Sequence, residues 1–205
     1  MYRLDSRGFS QLFDQLKGHT MEPTEQLSYI LPTLSATVDR LEVGQLNDPT
    51  PCNDFTVHDV LDHMIVLGAS FTYWFRGDDA PELTAPCAPD RVPTAEFREV
   101  MDDLLEAVKS PGAMERSIST PMGEMPGSDF ARFVAFDGLI HGWDLASSTG
   151  QRFELPPVVI DSVDGFAREA VTDEMRDGDT FKVATTPPAD ASAMARLVAF
   201  SGRAV

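Results

Sequence analysis

Phe136-Asp137-Gly138-Leu139-Ile140-His141-Gly142-Trp143-Asp144-Leu145-Ala146 is the stretch on which the fold turns. Read as helix, it places a carboxylate and an imidazole four residues apart, on one face and about 5–6 Å from each other. That spacing suits two ligands of a single metal ion. The helix can be capped by Ser128-Asp129, carries Phe130, Phe133, Val134, Ile140 and Leu145 in register, and stops at Thr149-Gly150 in the manner of a C-terminal glycine. His141 falls in its second half, away from fraying ends. A third candidate ligand, His63, lies in Val60-Leu61-Asp62-His63-Met64-Ile65, another apolar-periodic segment. Two helices can thus bring His63, Asp137 and His141 to a common point, which indicates a metal site before it indicates a reaction.

The rest of the chain is read as mainly helical. Phe9, Leu12, Phe13 and Leu16 make a short amphipathic arm. From Thr24, Leu27, Ile30, Leu31, Leu34, Val38 and Leu41 mark a longer helix in which Pro32 should cause a kink or a restart. Thr56 and Asp59 resemble a capping box, and the helix they open directs Val60, Leu61, Met64, Leu67, Phe71 and Trp74 inward. The proline-rich connection from Asp78 to Pro93 is long enough for a lid. Phe97, Val100, Met101, Leu104, Leu105 and Val108 define another helix, ended by Ser110-Pro111-Gly112, and Arg116 to Pro126 reads as extended. Val158, Ile160, Val163, Phe166, Ala167 and Ala170 follow Pro156-Pro157 in helical register. Asp177-Gly178-Asp179-Thr180 reads as a turn, Phe181-Lys182-Val183 as a short strand, and Ala191 to Phe200 as a closing helix. No internal repeat or composition break divides the chain, so residues 1–205 are expected to form a single domain, with a bundle over about 24–150 and a helical extension over about 151–205.

Charge sets the outer limits. Sixteen Lys and Arg oppose 33 Asp and Glu, a formal charge of −17, which makes nucleic acid or an anionic membrane an unfavourable partner. No leader-like apolar segment follows the charged N-terminus and no long apolar run occurs, so a cytoplasmic protein with no membrane span is expected. Cys52 and Cys87 are expected to be free thiols, since two cysteines cannot make a disulfide framework. The arm at Phe9 to Leu16 offers a homodimer contact if it does not pack on its own bundle.

The stretch Thr50-Pro51-Cys52-Asn53-Asp54-Phe55-Thr56-Val57-His58-Asp59-Val60-Leu61-Asp62-His63, with Asp137 to Ala146 and Thr149-Gly150-Gln151, resembles the actinobacterial DinB-like metal-binding proteins, of the mycothiol-dependent maleylpyruvate isomerase type. The likeness is good over about residues 24 to 150, and Leu197-Val198-Ala199-Phe200-Ser201-Gly202-Arg203 also looks like the end of one subgroup. The resemblance implies an all-α protein built on an antiparallel four-helix bundle with additional N- and C-terminal helices. It also implies a divalent metal at one end of the bundle, held at the positions of His63, Asp137 and His141. The acidic position is Glu in the isomerase, so Asp137 is one methylene shorter.

The chemistry follows from the donor types. Two imidazoles and one carboxylate leave coordination positions open, as in a catalytic zinc site. A thiol entering such a site loses its proton to the metal's charge and becomes a nucleophile near neutral pH. In the resembling family that thiol is mycothiol, and the expected function is transfer or isomerisation of a small electrophile. The same donor set serves non-haem iron, which composition does not exclude. Two other readings stay open: a non-catalytic bundle whose ion has a structural, sensing or partner-binding role, and a polar core without metal. Asp144 is read as an alternative ligand or an acceptor for an imidazole N–H. Cys52 is read as a loop anchor, His58 as a solvated first-turn residue and His19 as a loop residue. For Phe71, Tyr73, Trp74, Phe75 and Trp143, core packing is preferred to pocket lining.

Overall fold

Helix α1 (Pro23–Val38) opens on a proline, whose missing N–H would have had no partner in a first turn. The computed structural model describes residues 21–52, 55–82, 90–120, 123–176 and 181–205. Leu27, Ile30, Leu31, Leu34 and Val38 form the buried face of α1. Pro32 does not end this helix. It lies on the exposed face, where water can take the carbonyl its ring leaves unpaired, and apolar residues on both sides of it anchor in one core.

The capping box opens α2 (Val57–Arg76): Thr56 N–H donates to Asp59 Oδ2 at 2.8 Å, and Asp59 N–H donates to Thr56 Oγ1 at 3.3 Å. Gly77, at φ 87°, ends it in the left-handed conformation that a C-terminal stop requires. Helix α3 (Thr94–Lys109) turns Phe97, Met101, Leu104 and Val108 inward. The extended segment is an antiparallel hairpin, β1 (Ser117–Thr120) with β2 (Gly123–Pro126), pairing Ile118 with Met125.

Helix α4 (Gly127–Ser148) starts earlier than the expected Ser128-Asp129 cap, with no side-chain cap at all. The turn that leads into the hairpin supplies one in its place. Gly127 N–H donates to the Arg116 carbonyl at 2.8 Å and Ser128 N–H to the Met114 carbonyl at 2.9 Å, so the first amides are satisfied by backbone. Helices α5 (Pro157–Ala170) and α6 (Ala193–Phe200) complete the described α-helices.

These elements make an antiparallel four-helix bundle, with further C-terminal helices. Helix α1 packs on α3 and α4, α2 on α3 and α4, α5 on α4, and α6 on α5. Phe181-Lys182-Val183 is not a strand: among the described residues the one sheet is the hairpin, so this segment has no strand edge to pair with. Phe181 stacks on Phe136 of α4 at 5.7 Å instead, and Arg176 Nη1 donates to the Lys182 carbonyl at 2.7 Å. The N-terminal arm, His19, Cys87, the turn at 177–180 and the middle of the Asp78 to Pro93 connection lie outside the described residues. No helix among the described residues is long and apolar enough to cross a membrane.

The close approach of α1 to α4 depends on glycine. A Cβ on Gly138 would stand 3.3 Å from Ile30 and Leu34, and one on Gly142 would stand 2.3 Å from the Phe153 ring and 2.8 Å from Leu34. Each glycine follows a candidate ligand, Asp137 or His141, so this contact also sets where those side chains emerge. Gly142→Ala is therefore expected to destabilise the protein by about 1–3 kcal/mol through overpacking, measurable by urea denaturation, with Gly44→Ala, whose Cβ would meet nothing within 4 Å, as the neutral control.

Candidate metal site

Asp137 and His141 sit one turn apart on α4, and His63 faces them from the second turn of α2. His141 Nε2 lies 3.5 Å from Asp137 Oδ1, and His63 Nε2 lies 4.0 Å from the same oxygen. The two imidazole rings are 4.9 Å apart, edge to face. One donor atom from each residue falls within 4.8 Å of the others. Metal–ligand bonds of 2.0–2.2 Å in a tetrahedron would bring ligand atoms to about 3.4 Å from one another, so these donors fit one ion with small side-chain adjustments. The three residues singled out in the sequence are thus brought together.

The far side of His141 is built as firmly. Its Nδ1 lies 3.1 Å from Asp144 Oδ2, and Asp144 has no exposed surface. Asp144 also accepts from Arg203, Oδ2 from Nη2 at 2.9 Å and Oδ1 from Nε at 3.3 Å. Both carboxylate oxygens are occupied, so Asp144 acts as the acceptor of the imidazole N–H. A proton held on Nδ1 leaves Nε2 free to face Asp137 and His63. Cys52 also comes near His141 and Asp144, but with Asp144 held by Arg203 that group is the back of the site.

Electrostatics follow from this nesting. Burial opposes the charge on Asp137, but His141 and then His63 outweigh it and hold the carboxyl well below its usual range. Burial likewise opposes protonation of His141, yet Asp137 on one side and Asp144 on the other raise it to about 9. Burial pushes the Cys52 thiol up, with Arg203 opposing, so Cys52 stays protonated at neutral pH. Its loop is tied by Phe55 N–H to the Cys52 carbonyl at 2.9 Å, as expected of an anchor.

His63, Asp137 and His141 open onto a cavity of about 420 Å³. Phe71 lines it, while Phe75 belongs to the core and Trp74 packs on Phe71 and Phe130. His58 is half-buried, pairs with Asp62 at 3.8 Å and does not line the cavity. Two cations on the cavity wall, Lys182 and Arg203, escaped the sequence reading. The available signal was an arginine placed directly after the closing amphipathic helix, in a chain poor in basic residues.

Residues 30–146, more than half of the chain, match the family described as the mycothiol maleylpyruvate isomerase N-terminal domain. The chain belongs to that family. This isomerase-family chain is also 28% identical over 186 residues to an uncharacterized protein of Mycobacterium tuberculosis, covering 90% of this chain and 100% of that one. A protein from a second strain of that organism matches equally. Its fold is similar to the crystal structure of a mycothiol-dependent maleylpyruvate isomerase point mutant, with a TM-score of 0.56 at 13% identity, over 70% of this chain and 68% of that one. The isomerase structure without that mutation gives 0.53 at 15% identity, with the same coverage. At these identities the structural likeness is one of fold.

In this isomerase-family protein Arg203→Met leaves Asp144 as a buried, half-paired carboxylate, with an expected cost of about 3–5 kcal/mol in denaturant unfolding. In chelator-treated protein the His141 ring is expected to titrate near pH 9 by nitrogen-15 histidine NMR. Because the folded value lies above the unfolded one, near 6.5, the associated stability is complete below that lower value and is lost as pH rises through about 9. Asp144→Asn should move the titration downward.

Proposed function

We propose that the chain is a divalent-metal-dependent enzyme that uses a small thiol of the mycothiol type, acting as a transferase or isomerase on a small electrophile. The observation that carries this reading is where the three donors converge. They meet at the wall of a cavity, whereas a structural zinc ion is usually closed in by four protein ligands. His63, Asp137 and His141 would hold the ion, and two imidazoles with one carboxylate are a donor set that catalytic zinc takes. Its charge would favour thiolate over thiol at neutral pH.

The surrounding residues have separable tasks. Asp144 fixes the tautomer of His141, and Arg203 fixes Asp144. Phe55 packs edge to face on His63 at 6.0 Å and limits rotation of that ring. The phenylalanines beyond the donors keep water from the place where sulfur and electrophile would meet. The acidic surface disfavours nucleic acid as a partner, and a reduced-thiol co-substrate fits work in the cytoplasm.

Elemental analysis of the purified protein is expected to find about one equivalent of zinc or another divalent ion, lost in His63→Ala and in His141→Ala with helicity by circular dichroism retained. Calorimetric binding of mycothiol should disappear with the metal. A bound ion without thiol affinity would instead favour a structural ion, and no metal in any of the three proteins after reconstitution would overturn the enzyme reading.

A further inference from the structure

Six of the chain's 13 phenylalanines line the cavity beside the candidate metal site: Phe55, Phe71, Phe130, Phe133, Phe136 and Phe181. Their concentration there, and their fixed geometry, bear on what the cavity accepts. Phe71 meets Phe130 edge to face at 5.0 Å, and Phe130 is backed by Phe75 at 5.4 Å. Phe133 meets Phe166 edge to face at 5.0 Å, and Phe136 stacks on Phe181 at 5.7 Å. Each of these rings is held by another, so the apolar end is formed before any ligand arrives.

The charged side chains of the lining are few. Among the described lining residues, Asp137 is the one carboxylate, and with His63 and His141 taken up as metal ligands the cations left are Lys182 and Arg203. Arg203 is engaged by both oxygens of Asp144, which neutralises it. Lys182 is an exposed residue and can accompany one anionic group at the rim. A compact diacid would therefore leave a second carboxylate among phenylalanine rings without a partner, an unfavourable burial of charge. An aromatic ring fits the same walls through edge and face contacts. A cavity of about 150 Å³ is enough for benzene, so about 420 Å³ can take a one- or two-ring molecule with a thiol sulfur beside it.

We infer that the electrophile is an aromatic molecule, its ring among the phenylalanines and its reactive carbon turned towards His63, Asp137 and His141, rather than a dicarboxylate. This rests on the thiol-enzyme reading for the reaction but not for the binding. For an aryl-conjugated enone the step is an addition. The sulfur forms a bond to the β-carbon, the π pair moves towards the carbonyl, and the α-carbon takes up the proton that the thiol released, so thiol plus enone equals adduct.

The test uses the metal-loaded full chain with benzylideneacetone and maleate as probes. Binding is followed by saturation-transfer NMR and calorimetry, and adduct formation with mycothiol by mass spectrometry. Benzylideneacetone should bind at least about tenfold more tightly than maleate. Phe71→Gln, which places an amide on the wall, and Leu67→Trp, which fills the space from α2, should each weaken it by about tenfold without changing metal content. Equal or tighter binding of maleate, or aromatic binding indifferent to both variants, would overturn the inference. Aromatic binding with no adduct would sustain it and count against the thiol-enzyme reading. Adduct formation with maleate but not with benzylideneacetone would do the reverse.

Discussion

A carboxylate with no exposed surface must be matched by positive charge and hydrogen-bond donors, and Asp144 finds both at once: the ring of His141 one turn below it on α4 and the guanidinium of Arg203 from the end of the chain. Much of the site depends on that match. It fixes which nitrogen of His141 faces Asp137, and it ties the last residues to the middle of the bundle. It also brings Ser201, Gly202 and Arg203 to the cavity wall, beside Lys182 and Phe181. At Gly202, φ is 95° and a Cβ would stand 2.6 Å from Lys182, so the two parts of this wall close on each other only because no side chain intervenes.

The opposite constraint operates between α1 and α4. Gly138 and Gly142 let the two helices approach closely over Ile30 and Leu34, so the helix bearing Asp137 and His141 is clamped along its length. The turn before the hairpin adds a second clamp by capping the first turn of α4 with the carbonyls of Arg116 and Met114. A polar pair on a helix fixed in this way needs little reorganisation to receive a ligand. The result is one cavity whose wall combines the donors His63, Asp137 and His141 with six phenylalanines.

Much of this was legible in the residues. Periodicity located every described α-helix, because apolar residues at three- and four-residue spacing must share a face whatever that face packs against. The Thr56 and Asp59 capping box was readable for the same local reason. The start of α4 was not: its cap is a backbone contact from the turn before the hairpin, which leaves no side-chain signature. Phe181 to Val183 looked like a strand because strand propensity is a local property, whereas a strand needs a neighbour and this segment has none among the described residues.

The sequence by itself determined the helical class, the i, i+4 pairing of Asp137 with His141 and the family resemblance, since each rests on spacing along one helix or on motif residues. Only the tertiary structure decided that Asp144 pairs with the ring of His141, that Arg203 is its counter-ion from 59 positions away, and that phenylalanines from separate segments line one cavity. Those outcomes depend on how helices and the C-terminal segment cross in space. Periodicity reports which face of a helix is buried, and it carries no information about which distant residue is buried against it.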